Sequence, residues 1–198
     1  MCHLVMVGLK TFIPQLSKVL EVSEIALYER QRALVRAGLL ANTVGRGPGS
    51  GVRYSPETLA ILLISLLATD SLSETAAATN FLLNAKRNHG ERYRKVERSL
   101  AGAETFKAAL TNALTGTEDI SLVTAHRTDG LIFFFIGTGQ VVEFNAKGKI
   151  DDGPLAIVAH LHLEEIRELV ARTDNLIAIK EAAREPAPRK STAKDHQK

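Results

Sequence analysis

The chain of 198 residues has one cysteine, no tryptophan, two methionines and only 5% aromatic residues. With Cys2 alone, no disulfide can close within the chain, so a small disulfide-stapled fold is excluded and a reducing, cytoplasmic setting is expected. Long hydrophobic runs are missing as well. The strongest, Leu59 to Ala68 and Leu131 to Ile136, fall short of the ~18 residues that a membrane span needs. The start, Met1 to Leu9, is apolar but has no basic leader, so no secretory signal is expected. What the chain does have is an ordinary globular composition, 45% hydrophobic and 24% charged. Most of it should therefore fold.

The net charge is only +3, but it is unevenly spread. Residues 1 to 99 carry 13 Lys/Arg against 8 Asp/Glu, whereas residues 100 to 180 carry 7 against 11. A basic front joined to an acidic rear suggests a polyanion-binding module attached to something that does not touch the polyanion.

The periodicity predicts where the elements lie. Phe12, Ile13, Leu16, Val19 and Leu20 have helical spacing, with Pro14 in the first turn where its missing N-H costs nothing. Ser23 is a suitable N-cap for a second helix over 24 to 37, which Gly38 ends. The segments 40 to 44 and 52 to 54 flank a Gly/Pro-rich centre and read as a hairpin. Ser55 and Pro56 then open an apolar helix, and another helix is expected from about 74 to 88. Spacing of three and four from Val96 to Leu114 predicts one long amphipathic helix over 91 to 114. Strands are predicted at 120 to 126, 131 to 136 and 140 to 145 as an antiparallel meander, with a fourth at 155 to 161. The unbroken apolar strand Leu131 to Ile136 should be covered on both faces. A closing helix begins at 162 or 163, and the tail 184 to 198, basic and rich in Pro and Lys, should be disordered.

Helix, tight turn, helix, glycine-rich hairpin and helix in residues 11 to 68 resemble the winged helix-turn-helix of MerR regulators. The likeness is carried by Ile25 to Glu29, Gly38-Leu39-Leu40 and Gly51-Val52-Arg53-Tyr54-Ser55, and covers under a third of the chain. The spacing from Tyr28-Glu29 to Gly38 is longer than the family's, and Ala26 stands where the family has a DNA-facing arginine. The resemblance implies a recognition helix, its end and the returning strand of a wing.

The residues themselves give the second helix a divided surface. At roughly 100 degrees per residue, Tyr28, Arg32 and Arg36 form one stripe and Ala26, Leu27, Ala33, Leu34 and Ala37 the other. Guanidinium groups on such a stripe can reach guanine edges or phosphates in the major groove. The competing reading is an ordinary solvated face. Arg30 points into the apolar arc, which suggests a phosphate contact at the rim or a snorkelling side chain. Arg46 and Arg53 on the hairpin would face phosphate or minor groove. Lys86 and Arg87 begin a second basic cluster that continues through Arg98 and suits flanking backbone contacts. With Ser23 at the helix N-terminus, the expected DNA-binding set is Ser23, Tyr28, Arg30, Arg32, Arg36, Arg46, Arg53, Lys86 and Arg87.

Other chemistry finds less support. The glycines at 45, 47, 49 and 51 lack the Lys-Ser/Thr and the following helix of a phosphate loop. His126, His160 and His162 have no Cys or close acidic partner to complete a metal site. No nucleophile comes with a recognisable base. The sequence therefore predicts an α+β chain: a winged helix-turn-helix over 10 to 88, a dimerisation or partner-binding unit over 91 to 180, and the tail. It predicts a non-enzymatic, cofactor-free, homodimeric regulator of double-stranded DNA, with no membrane contact. The rival is an adaptor that uses the winged helix to bind another protein.

Overall fold

A computed structural model describes residues 7–42, 51–89, 99–137, 139–146 and 158–182. The fold is α+β, with six helices and one five-stranded antiparallel sheet among these residues. Helix α1 (Leu9–Leu20) carries Pro14 inside it and buries Leu9, Phe12, Ile13 and Leu16. Glu21, in the left-handed region at φ 54°, turns the chain sharply into α2 (Glu24–Arg36). The Ser23 Oγ accepts from the Ala26 N–H and so satisfies one of the free donors at that helix end, as the sequence predicts. Gly38, at φ 73°, releases the chain after α2.

The expected strand at 40 to 44 is not formed over residues 40–42, and residues 43–50 lie outside the described ones. The returning arm instead pairs with the start of the chain. The Leu9 N–H donates to the Val52 carbonyl at 2.8 Å, and the Tyr54 N–H donates to the Val7 carbonyl at 2.9 Å. Ser55 and Thr58 then cap α3 (Pro56–Ala68) reciprocally. Nine of its thirteen residues are buried, as its all-round apolar character requires.

Two expectations about the middle of the chain are corrected. Helix α4 (Thr75–Leu83) stops short of 88, and Lys86–Arg87 forms the short strand β1. The long helix over 91 to 114 is also interrupted, because Leu100 and Ala101 are left-handed and α5 begins only at Phe106 (Phe106–Thr115). Several polar groups hold this break open. The Leu100 N–H donates to Glu118 Oε2 at 2.6 Å, Asn112 Nδ2 donates to the Leu100 carbonyl, and Thr105 Oγ1 caps α5 by accepting from the Ala108 N–H. Each supplies the bond that a continuous helix would have made, so Leu100 can enter the core.

Strands β2 (Ile120–His126), β3 (Leu131–Ile136), β4 (Val141–Asn145) and β5 (Val158–His162) lie close to where the sequence puts them. The order across the sheet is β1-β4-β3-β2-β5. One face is closed by Phe106 of α5, whose ring stands edge-on to Phe134 at 5.7 Å, with Phe144 completing the cluster. The other face is not closed in the same way. Ile132, Phe134 and Ile136 are buried while Phe135 is 36% exposed, so the expectation that β3 is covered on both faces is overturned. Helix α6 (Glu164–Ala182) follows β5 and rests against α5 and α1. Residues 10–88 and 91–180, read from the sequence as separate units, contribute to one shared apolar core. The tail 184–198 lies outside the described residues, and no described helix is long and apolar enough to cross a membrane.

Candidate nucleic-acid interface

Helix α2 has a buried side and an open side. Leu27, Arg30 and Leu34 turn inward, while Glu24, Ile25, Arg32 and Arg36 are exposed. Between the open side and the residues on either side of the glycine-rich segment runs a groove of about 440 Å³, lined by Glu29, Gln31, Arg32, Val35 and Arg36 on the helix and by Asn42, Gly51 and Val52 opposite. Arg32 and Arg36 stand one helical turn apart on its lip. Arg32 Nη1 donates to Glu29 Oε1 at 2.7 Å, and its side chain is still 73% exposed. An exposed pair of this kind holds its partners weakly. The Gln31 Oε1, also in this groove, is enclosed without a hydrogen-bond donor. Arg53 is exposed, and its backbone carbonyl accepts from the Thr58 hydroxyl. Arg46 lies outside the described residues.

Three expected contact residues are placed elsewhere. Tyr28 is half-buried and leans back on α1, its hydroxyl donating to the Lys10 carbonyl at 3.2 Å, so it leaves the Arg32–Arg36 stripe. Arg30 is only 5% exposed. Its guanidinium donates to the Ser65 carbonyl at 2.8 Å and reaches Thr75 Oγ1, tying α2 to α3 and α4. Burial lowers its pKa, and the Arg127 charge adds to that, while Asp70 opposes it. Arg30 neither snorkels nor waits at a rim. Arg87 is likewise buried, donating to the Ser99 and Ala103 carbonyls that shape the break before α5. Lys86 is exposed, on the sheet edge opposite Asn145, and the basic residues from 92 to 98 lie outside the described ones.

One surface residue escaped the sequence reading. Ile25 is 75% exposed at the first turn of α2, with no burial by the described residues to match its apolar side chain. The sequence reading assigns it to neither face of the helix. The signal that could have found it is the pair Ser23-Glu24, which fixes the helix start and so turns Ile25 outward.

Behind the groove, Tyr54 stacks on Phe12 with ring centroids 4.8 Å apart. Burial, with the Asp174 charge adding to it, pushes the Tyr54 phenol well above its usual range. Asp174 is near enough to be felt, yet the Tyr54 hydroxyl is enclosed without closing a hydrogen bond of ordinary geometry. Burial also raises the Asp174 carboxyl. No protein-family model, no curated protein and no solved structure matches this chain.

Proposed function

We propose that this chain is a non-catalytic DNA-binding regulator, a winged helix-turn-helix that lays α2 in the major groove and sets the hairpin over the adjacent backbone. One observation carries the reading: Arg32 and Arg36, exposed one turn apart, share a groove with Asn42, Gly51 and Val52, which flank the glycine-rich segment in sequence. In helices of this use the N-terminal residues reach base edges. Here that end offers Ile25, whose side chain suits a thymine methyl group, beside the Ser23-capped N-terminus, whose amides suit a phosphate. Tyr28, Arg30 and Arg87 drop out of the contact set. Ser23, Arg32, Arg36, Arg46, Arg53 and Lys86 remain in it, and Ile25 joins them. The regulator works as a homodimer, because one such module reads too few base pairs to be specific alone.

A second reading rests on Ile25 and the Arg32–Glu29 pair: an adaptor would use the same helix against another protein. Selection of bound fragments from random duplex DNA by the purified full-length chain separates the two. The DNA reading expects a recurrent sequence and binding that weakens steeply with added salt through counterion release. No enrichment at low salt would leave the adaptor in its place.

A further inference from the structure

Alternation along β3 sends Ile132, Phe134 and Ile136 into the core. It leaves Phe133 and Phe135 on the sheet face turned away from α5, about 6.8 Å apart along the strand. Strand pairing sets Thr124 beside Phe133 and Val141 beside Phe135. Beyond Thr124 comes His160 of β5, and His126 stands edge-on to Phe133 at 5.4 Å. With Val158 these side chains line an open cleft of about 520 Å³. Two phenylalanines and two valines make it apolar, and no Asp, Glu, Lys or Arg among the described residues lines it. Two carboxylates of neighbouring residues stay outside the lining. Glu143, paired with Phe133, accepts from Asn88 Nδ2, and Asp129 lies 3.8 Å from His126 Nδ1.

One polar group in the cleft is unspent. Thr124 is 5% exposed, yet its hydroxyl has no hydrogen-bond partner among the described residues. Buried hydroxyls are ordinarily bonded, because giving up water without a replacement is costly. The unpartnered side-chain atoms that are fully enclosed belong to Gln31 and Tyr54, so the Thr124 hydroxyl still opens on the cleft it lines. We propose that this cleft binds a small, neutral, planar heteroaromatic molecule, which lies on Phe133 and Phe135 and hydrogen-bonds through a ring nitrogen to the Thr124 hydroxyl. Each part of that description answers a feature of the site. Phenylalanine rings attract another aromatic ring beyond the area they bury. The threonine hydroxyl can donate or accept, and so can the neutral imidazoles of His126 and His160, which suits a nitrogen heterocycle. Neutrality follows from the apolar floor, which strips water from the ligand while no lining side chain offers an opposite charge, and Glu143 and Asp129 close by repel an anion. The volume falls in the range of roughly 300 to 1,000 Å³ that small-molecule sites occupy.

In a regulator such a ligand is the effector, but the site does not rest on that reading and its test uses no DNA. The chain has no tryptophan, so added indole can be followed by its own fluorescence. Indole should bind the full-length chain with a Kd on the order of 0.1 to 1 mM, as a fragment of its size allows. Indole-3-acetate, the same ring with one negative charge, should bind at least about tenfold more weakly. Phe135→Ala, at an exposed position, should weaken indole about tenfold. Leu176→Ala on exposed α6 should leave indole binding unchanged. Thr124→Val keeps the branched shape and removes the hydroxyl. It should weaken indole about fivefold. Benzothiophene, of the same shape without an N–H, should bind Thr124→Val as it binds the parent chain in calorimetric titration, with folding of each variant confirmed by circular dichroism. No saturable binding of indole, binding untouched by Phe135→Ala, or indole-3-acetate bound as tightly as indole would overturn the proposal. So would a dimer that Phe135→Lys dissolves, since the face would then belong to a second copy. Equal weakening of indole and benzothiophene by Thr124→Val would overturn the hydrogen bond to the ring nitrogen.

Discussion

Arginine is the residue type on which this molecule turns, and its arginines divide by what surrounds them. Arg32 and Arg36 keep their charge in solvent, where it can be lent to a partner. Arg30, two positions earlier on the same helix, spends its donors on the Ser65 carbonyl and Thr75. Removing it should strip a buried carbonyl of its donor and leave a void, so Arg30→Ala is expected to cost about 2 to 4 kcal/mol of stability. Arg30→Met keeps the volume without the charge and should cost clearly less. Urea unfolding measures both. Neither variant, where folded, should alter the salt dependence of DNA binding, and a reduced salt slope in Arg30→Met would return this residue to the phosphate-contacting set.

At the scale of elements, sequence patterning located the sheet and missed the joints. The strands at 120 to 126 and 131 to 136 were legible because a turn at 128 to 130 and one after Ile136 bracket them. The break before α5 was not, since Leu100 has the spacing of a helix while bonds from distant residues, Glu118 and Asn112, hold it left-handed. The same holds for Arg30, which no local pattern assigns to a carbonyl 35 residues away. Ser23 and the exposed arginine pair were legible because capping and the face of a helix are local properties. Another distant joint is Arg127, whose guanidinium donates to the Leu66 and Leu67 carbonyls at the end of α3 and, through two bonds, to Asp70. Arg127→Ala should cost about 1.5 to 3 kcal/mol, because those helix-end carbonyls lose charged donors. Asp70→Asn should cost less than about 1 kcal/mol, since the carboxylate is largely exposed. The hydrogen bond from Arg127 holds the Asp70 carboxyl below the usual carboxylate range, with the Arg127 and Arg30 charges helping. A depressed carboxyl contributes stability at neutral pH and loses it as pH falls through its folded value, so Asp70→Asn should flatten the acid limb of the stability curve below about pH 4. Urea midpoints measured down that limb check it, and an unchanged limb would remove Asp70 from the account.

For the whole molecule, the consequence of one apolar core is cooperation between the helical front and the sheet. Helix α3 is buried by α4 and α5 together, and α6 lies against α1. A separable front unit was the natural inference from the charge asymmetry, which reports on surfaces and says nothing of what lies between them. The shared core predicts one unfolding transition for the full chain, with far-ultraviolet dichroism and near-ultraviolet signals changing together. Two resolved transitions would mean that the halves fold independently. The central claim, that α2 reads DNA, is tested most directly with Arg36→Ala on a selected duplex and on a scrambled one, at several salt concentrations. Loss of a base contact should cost about 1 to 3 kcal/mol on the selected duplex and much less on the scrambled one. Equal losses on both would take α2 out of the groove, and no loss on either would contradict the claim outright.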